Sequence, residues 1–423
     1  MKSNEVIIIG AGMAGMLTAY FLQSRGMRVI VLEAEHIADG QTGRTTAKIT
    51  AQHGLSYDKL IQSVGRQRAQ LYANANQDAI KEYAKLIEQE KIDCDFERLP
   101  AYVYSTQASE PLLREVKAAK ELGLPARFER QVQLPFETLG AVRFEDQAQF
   151  HPLKFLRAIA LELKIYENTL VKKVHGNRVY TSKGIFTAEK IVFATHYPIV
   201  NIPGFYFLRQ HQERSYVVAL AGCKELDGMY YSEDEKGLSL RSYGDILLVG
   251  GSSHRTGKNT KGGAYEVLRR EAEKYFPKGR EVAHWSAQDC MPHDGIPFIG
   301  RYSYLKPDWY VATGFQKWGM TTSMIAARLL ADQITGTQNV YEKLYTPQRF
   351  LIKAGGADFL KDAGESIKGL SGGWMPWHKT PRCSHLGCAL QWTPDEESWD
   401  CPCHGSRFDK AGNLLDEPAR KKL

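Results

Sequence analysis

The sequence predicts an α/β fold: a βαβ opening, later segments that return to it, an α+β portion threaded between them, and a small closing segment of different chemistry. Three observations carry that expectation. Val6-Ile7-Ile8-Ile9 is a strand-length apolar run that feeds Gly10-Ala11-Gly12-Met13-Ala14-Gly15. Further buried-strand runs recur near residues 190 and 310, with alternating and helical stretches between them. Most of the 7 cysteines crowd into the span from Cys383 to Cys403.

After the glycine turn, an apolar helix runs through Tyr20-Phe21-Leu22, Gly26 ends it, and Arg28-Val29-Ile30-Val31-Leu32-Glu33-Ala34 supplies a second strand closing on a carboxylate. Gly10 permits the tight turn, Gly12 lets a pyrophosphate approach the backbone, and Gly15 allows close packing of helix on strand. The helix N-terminus points free N–H groups and its dipole at the phosphates. Glu33 is placed to accept hydrogen bonds from ribose hydroxyls. A Gly-rich turn in an ordinary βαβ unit is the bland alternative. Strand, helix and terminal carboxylate in register favour a Rossmann-like dinucleotide site.

Other segments bear on which dinucleotide. Gly40-Gln41-Thr42-Gly43-Arg44-Thr45-Thr46-Ala47-Lys48 is a polar turn of small residues able to wrap phosphates and pass close to a flat ring. Lys190 to His196 reads as a buried strand ending in the small residues Ala194 and Thr195. Asp294 to Gly300 and Tyr310 to Thr321 precede a helix expected from about Thr322 to Asp332. Together with the N-terminal fingerprint, these resemble the FAD-binding segments of the amino-acid and amine oxidase family, which includes D-amino-acid, glycine and sarcosine oxidases. The resemblance covers most of residues 1 to 350. It implies that Thr42 to Lys48 border the pyrophosphate and flavin, and that Val171 lies near the adenine through its backbone. It also implies that Gly314, Lys317, Trp318, Gly319, Met320 and Thr321 approach the flavin pyrimidine edge, where Lys317 and a helix N-terminus would stabilise reduced flavin.

The tail carries two boxes, Cys383-Ser384-His385-Leu386-Gly387-Cys388 and Cys401-Pro402-Cys403-His404-Gly405-Ser406. Each offers one thiolate and one imidazole, so Cys383, His385, Cys401 and His404 match an iron pair bound by two Cys on one side and two His on the other. The same set satisfies a tetrahedral zinc ion. Spacing and the glycine turn after each box argue for iron. The segment resembles a Rieske [2Fe–2S] cluster-binding segment, and by that resemblance Cys388 and Cys403 sit where the respiratory type has a disulfide tying the loops together. One departure stands out. Gly369 to Thr380 has no alternating strand pattern, so the usual base of such a domain is missing. The loops are expected to lean directly on the larger domain, with Trp374 and Trp377 filling the gap.

Residues between the cofactor segments should build the substrate side. Helical periodicity runs from about Ser56 to Glu90 and from Leu112 to Leu122, and alternation marks Ala101 to Tyr104, Gly237 to Ser242 and Ile246 to Gly251. By the family resemblance a sheet here covers the flavin. Arg241 is the candidate to hold a substrate carboxylate, against the bland reading of a surface salt bridge. Tyr216, His254 and His53 are further pocket candidates, although a single His is more often structural. The resemblance implies an amine or amino-acid substrate giving hydride to the flavin, with electrons leaving singly through the cluster to an external acceptor. The alternatives are an O₂-using oxidase with a structural metal tail and an electron-transfer or redox-sensing protein.

Composition sets limits. A chain of 423 residues exceeds one ordinary core. The expected division places the FAD-dependent oxidoreductase in residues 1–350, with FAD-binding parts at roughly 1–90, 145–200 and 286–350 and substrate parts at roughly 91–144 and 201–285. A linker over 351–373 leads to the cluster segment, 374–423. Net charge is +7 and dispersed, without the basic stripe and interleaved aromatics of a nucleic-acid binder. The absence of a signal-like leader and of an 18-residue apolar run makes a cytoplasmic protein without a membrane span the expectation. There a Cys388–Cys403 disulfide would be unusual unless burial protects it.

Overall fold

A computed structural model describes residues 4–349 and 380–423. The linker, Trp374 and Trp377 lie outside the described residues. The first sheet runs in the order Phe298–Ser303, Lys306–Thr313, Gly184–Phe193, Asn4–Ile9, Val29–Leu32, Ile165–Tyr166, with a hairpin, Val171–His175 and Arg178–Thr181, attached to Gly184–Phe193. Its centre is parallel: Ile7 pairs with Ile191 on one side and Ile30 on the other. Such strands are covered on both faces, which is why Val6, Ile7 and Ile8 alike are fully buried. Helices Met13–Gln23 and Gly319–Thr335 share the core on one face, through Met16, Leu17, Met324 and Leu330.

The second sheet is mixed and has nine strands, in the order Arg280–Pro292, Gln210–Ala221, Ile246–Arg255, Ser239–Tyr243, Met229–Ser232, Glu97–Tyr104, Ala141–Gln149, Lys48–Ile49, with Ala126–Glu129 beside Ala141–Gln149. Strands Ala141–Gln149 and Arg280–Pro292 run across positions 145 and 286, the expected limits of FAD-binding parts. The helical stretch expected from Ser56 is two helices, Ser56–Val64 and Arg66–Gln89, broken at Gly65 with φ +85°. The helix expected from Thr322 begins earlier, at Gly319.

The tail holds a four-stranded antiparallel sheet of very short strands, Gln391–Thr393, Ser398–Asp400, Arg407–Phe408 and Leu414–Asp416. A bridge between Arg382 and Ala389 closes the first box. Among the described residues no helix is long and apolar enough to cross a membrane.

Candidate functional site

The glycine turn is built as its spacing requires. Gly10 has φ +106°, and a Cβ there would lie 2.5 Å from the Ala194 carbonyl oxygen. A Cβ on Gly15 would lie 2.0 Å from the Gly10 oxygen, so helix and turn touch backbone to backbone. At Gly12 a Cβ would meet only Thr42 Oγ1, at 3.1 Å, leaving the space above the turn for a ligand. Met13 N donates to Thr42 Oγ1 at 3.0 Å, and Ala11 N donates to a Glu33 carboxylate oxygen at 2.7 Å. Ala194 N donates to Ile9 O, which seats the Ala194-Thr195 strand end beside the turn. Gly43, whose N–H bonds the Ala38 oxygen, continues the wall. A close-packed glycine turn with open space over Gly12, at the N-terminus of helix Met13–Gln23, fits a dinucleotide pyrophosphate.

Beyond Thr42 the chain enters a cavity of about 390 Å³. Arg44, Thr45, Thr46 and Lys48 border one side, and Lys317, Trp318, Gly319 and Met320 the other. Strands Gln210–Ala221, Met229–Ser232, Ile246–Arg255 and Arg280–Pro292 complete it, bringing in Tyr231, Ser253 and Asp289. Burial, with Arg241 nearby, pushes Lys48 down to about 7, and its Nζ donates to Ser239 Oγ. Lys317 Nζ donates to Ser253 Oγ at 2.7 Å and lies 3.5 Å from Glu213. Burial alone would lower Lys317, but Tyr231, Glu213 and Asp289 outweigh it and hold it above its ordinary value. Thr321 lies deeper, its hydroxyl on Thr50 O, while Gly314 sits against Gln210 and Pro292. Ala47 adopts φ +53°, and the Ala34 N–H faces the Glu33 carboxylate.

Several candidates occupy other posts. Arg241 does not border the cavity: its guanidinium donates to Gln149 Oε1 at 2.9 Å, Thr46 O at 2.5 Å and Phe150 O at 3.0 Å. With one bond from each of its three nitrogens to these acceptors, it braces the Thr45–Lys48 turn instead of lining the cavity, where it had been expected to meet a substrate carboxylate. Tyr216 borders the cavity, yet its ring packs edge-on to Tyr265 and its hydroxyl hydrogen-bonds His254 Nε2 at 3.0 Å. His254 Nδ1 in turn bonds Arg255 O, so this pair is occupied within the core. His53 stacks on Trp318 at 4.8 Å and bonds Tyr72 and Thr50, and burial holds it down at about 3. It is a neutral support for Trp318. The Val171 oxygen accepts from Arg420 of the tail at 3.1 Å.

Among the acidic residues at the site that no local pattern marked, Asp289 and Glu213 flank Lys317. Burial lifts Asp289 to about 7, opposed by Lys317 and Arg214 and helped by Glu213. Glu213 goes the other way: burial would raise it, but His211 and Lys317 hold it down at about 2.

On the other face of the same sheet lies the tail. Gln212 Nε2 donates to His404 O at 2.8 Å, Gln288 Nε2 to Gly405 O at 2.9 Å, and Arg255 to the carbonyls of Pro402 and Cys403 at 3.0 Å. Below them Arg214 and Arg407 share Glu396 and Asp416 in a buried ion network. The loops thus lean on the larger domain. Cys388 and Cys403 are joined as a disulfide. Although Cys388, Cys401 and Cys403 place their sulfurs within 4.8 Å of one another, that bond leaves Cys401 and Cys383 as the free thiols of the boxes. The Cys401 thiol, hydrogen-bonded to Cys383, pulls Cys383 down to about 7. The His385 and His404 rings stand perpendicular with centroids 5.1 Å apart. His385 Nε2 bonds Asn201 Oδ1 at 2.8 Å, while its Nδ1 is buried without a hydrogen-bond partner among the described residues. Two thiols, two imidazoles and an unsatisfied ring nitrogen fit a mixed thiolate/imidazole cluster.

Comparison with known proteins decides the family. Residues 5–333 match the model of the FAD dependent oxidoreductase (DAO) family, and residues 379–423 match the Rieske [2Fe-2S] domain. The chain belongs to the FAD dependent oxidoreductase family. It carries a C-terminal Rieske domain, and its cofactors are FAD and a [2Fe–2S] cluster. YhfW of Bacillus subtilis, named as a Rieske 2Fe-2S iron-sulfur protein, is 35% identical over 99% of this chain and 92% of its own length. Gamma-glutamylputrescine oxidoreductase of Escherichia coli is 23% identical over 78% of this chain and 84% of its own. Glycine oxidase from Geobacillus kaustophilus has the same fold, with a TM-score of 0.71 and 18% identity over 83% of this chain and all of that one. In this family member the two cofactor regions lie on opposite faces of one sheet.

Proposed function

We propose that the chain dehydrogenates an amine or amino acid at the carbon bearing nitrogen and delivers the electrons, one at a time, to an external acceptor. When bound, FAD supplies a hydride acceptor and the Rieske cluster a one-electron carrier of higher potential than an all-Cys ferredoxin cluster. The chain's residues do the rest. Gly10 to Gly15 and Thr42 hold the dinucleotide, and Trp318, fixed by His53, walls the cavity. Lys317, kept charged by Glu213, supplies positive charge beside the turn from Trp318 into helix Gly319–Thr335. Gln212, Gln288 and Arg255 clamp the second cluster loop to the sheet.

The observation that carries this reading is the alternation on strand Arg280–Pro292. Asp289 borders the cavity, and its neighbour Gln288 bonds the cluster loop. A pleated strand sends successive side chains to opposite faces. Glycine oxidase and gamma-glutamylputrescine oxidoreductase, among the relatives, support a donor with a C–N bond. The test is anaerobic mixing of the holoenzyme with amines and amino acids, following flavin absorbance and the cluster EPR signal together. Flavin bleaching followed by cluster reduction is expected. Dye reduction that proceeds unchanged in Cys383→Ser protein would overturn the route through the cluster.

A further inference from the structure

Among the acidic side chains that border the cavity, Glu233 bonds Lys59 and Leu55 N and Asp234 bonds Ser105 and Thr106, while Asp289 faces the charge of Lys317. Lys317 is matched by Glu213 at 3.5 Å and bonds Ser253. Lys48 is bonded to Ser239, and Arg44 leans toward Asp416 at 3.9 Å. Arg241, the guanidinium best placed in sequence to fork a carboxylate, is turned away onto Gln149, Thr46 and Phe150. Asp289 borders the same cavity, and what acts on it is the through-space charge of Lys317, Glu213 and Arg214.

Resting on the reading of this chain as a C–N dehydrogenase, the geometry points to a cationic amine lacking an α-carboxylate as the substrate, its ammonium seated on Asp289. The seated ammonium supplies the positive charge that the Glu213–Lys317–Asp289 group lacks. Tyr231 and Trp318, edge to face at 5.3 Å, give its carbon chain aromatic walls that also favour a cation. An amino acid would bring its carboxylate toward Asp289, and the repulsion between the two like charges is a cost that an amine without a carboxylate does not meet. Asp289 also takes the proton that must leave before oxidation. One N–H bond of the ammonium breaks, an O–H bond forms on the Asp289 carboxylate, and nitrogen keeps the electron pair; no electrons change hands in that step. Burial, the largest influence on Asp289, lifts it to about 7, where a carboxylate accepts and returns a proton near neutral pH.

The experiment compares matched pairs, each an alkylamine and the α-amino acid of the same side chain, as anaerobic reductants of the holoenzyme flavin. Amines are expected to bleach it at least 10-fold faster than their carboxylated partners. In Asp289→Asn protein with unchanged flavin and iron content, bleaching by amines should fall about 100-fold, while chemical reduction by dithionite stays the same. Asp289→Glu should recover part of the rate with a displaced pH profile, which a purely structural residue would not give. Faster bleaching by the amino acids, or an undiminished amine rate in Asp289→Asn, would overturn this inference and leave the dehydrogenase reading standing. Bleaching by neither class would overturn both.

Discussion

Gln288 and Asp289 are neighbours on one strand, yet Gln288 Nε2 donates to the Gly405 oxygen of the second cluster loop while Asp289 borders the cavity beside Lys317. One sheet therefore serves as the partition between the two redox regions, and Gln288 is its peg. The Gln288 amide also donates to Gln212 Oε1 at 2.7 Å and accepts from Arg214 and Thr256. Replacing Gln288 with Ala strands buried partners, at about 1–3 kcal/mol. Flavin bleaching by substrate should keep its rate in the variant, while cluster reduction lags behind it and the tail gains hydrogen exchange. Unchanged exchange over residues 401–406 would show that the peg carries no weight.

The glycines of the nucleotide turn separate two kinds of failure. Gly15→Ala puts a methyl 2.0 Å from backbone and should prevent the first strand and helix from docking, giving insoluble or unfolded protein. Gly12→Ala meets only a Thr42 hydroxyl at 3.1 Å, so the fold should survive with the ligand space filled. Its expected product is colourless in the flavin bands but retains the Rieske spectrum and near wild-type iron. Full flavin occupancy in Gly12→Ala protein would refute the placement of the pyrophosphate over that residue.

What could be read from sequence follows from how far apart the deciding atoms lie along the chain. The nucleotide turn and the cluster boxes are local, with glycines, thiols and imidazoles at spacings that impose their own geometry. Arg241 is the contrary case. Its alternating strand Ser239–Tyr243 was legible, but the acceptors that claim its guanidinium come from Thr46, Gln149 and Phe150, and no local pattern announces them. Asp289 and Glu213 were equally hidden, because they sit on long strands whose register, Glu213 opposite Asp289, is set by pairing between distant segments. Arg214, fully buried, reads in sequence as one more surface cation; only the tail's Glu396 and Asp416 explain its burial.

Asn201 reaches from the larger domain to the first cluster box. Its Oδ1 is an acceptor, so the His385 nitrogen facing it, Nε2, is the protonated one, and Nδ1 is left as the ligand atom. Partners of this kind hold a ligand ring in place, and removing one costs about 10–100-fold in metal affinity. Asn201→Ala protein should therefore lose iron faster to a chelator and show shifted EPR g-values, with flavin content and substrate bleaching unaltered. Identical chelation kinetics would assign the contact to packing alone.

Acid should detach the tail before it unfolds the rest. Burial alone would raise Asp416, but Arg407 at 2.8 Å and Arg214 at 3.8 Å outweigh it and hold it at about 2. The third cation, Arg44 at 3.9 Å, is more exposed and screened, so it adds little. Glu396 is likewise depressed: burial opposes, and Arg214, Ser286 and Arg407 prevail. A carboxylate whose folded value lies below its unfolded one stabilises fully above the unfolded value of about 4, and that stabilisation is lost as pH falls toward 2. For Asp416 it amounts to roughly 2–3 kcal/mol at neutral pH. Between about pH 4 and 2 the tail's exchange protection should collapse in wild-type protein. Asp416→Asn protein, already weakened at pH 7, should show a shallower acid dependence over the same window, because the group that must be protonated is gone. Parallel acid profiles for the two proteins would mean that the Arg214–Asp416–Arg407 network does not hold the cluster domain in place.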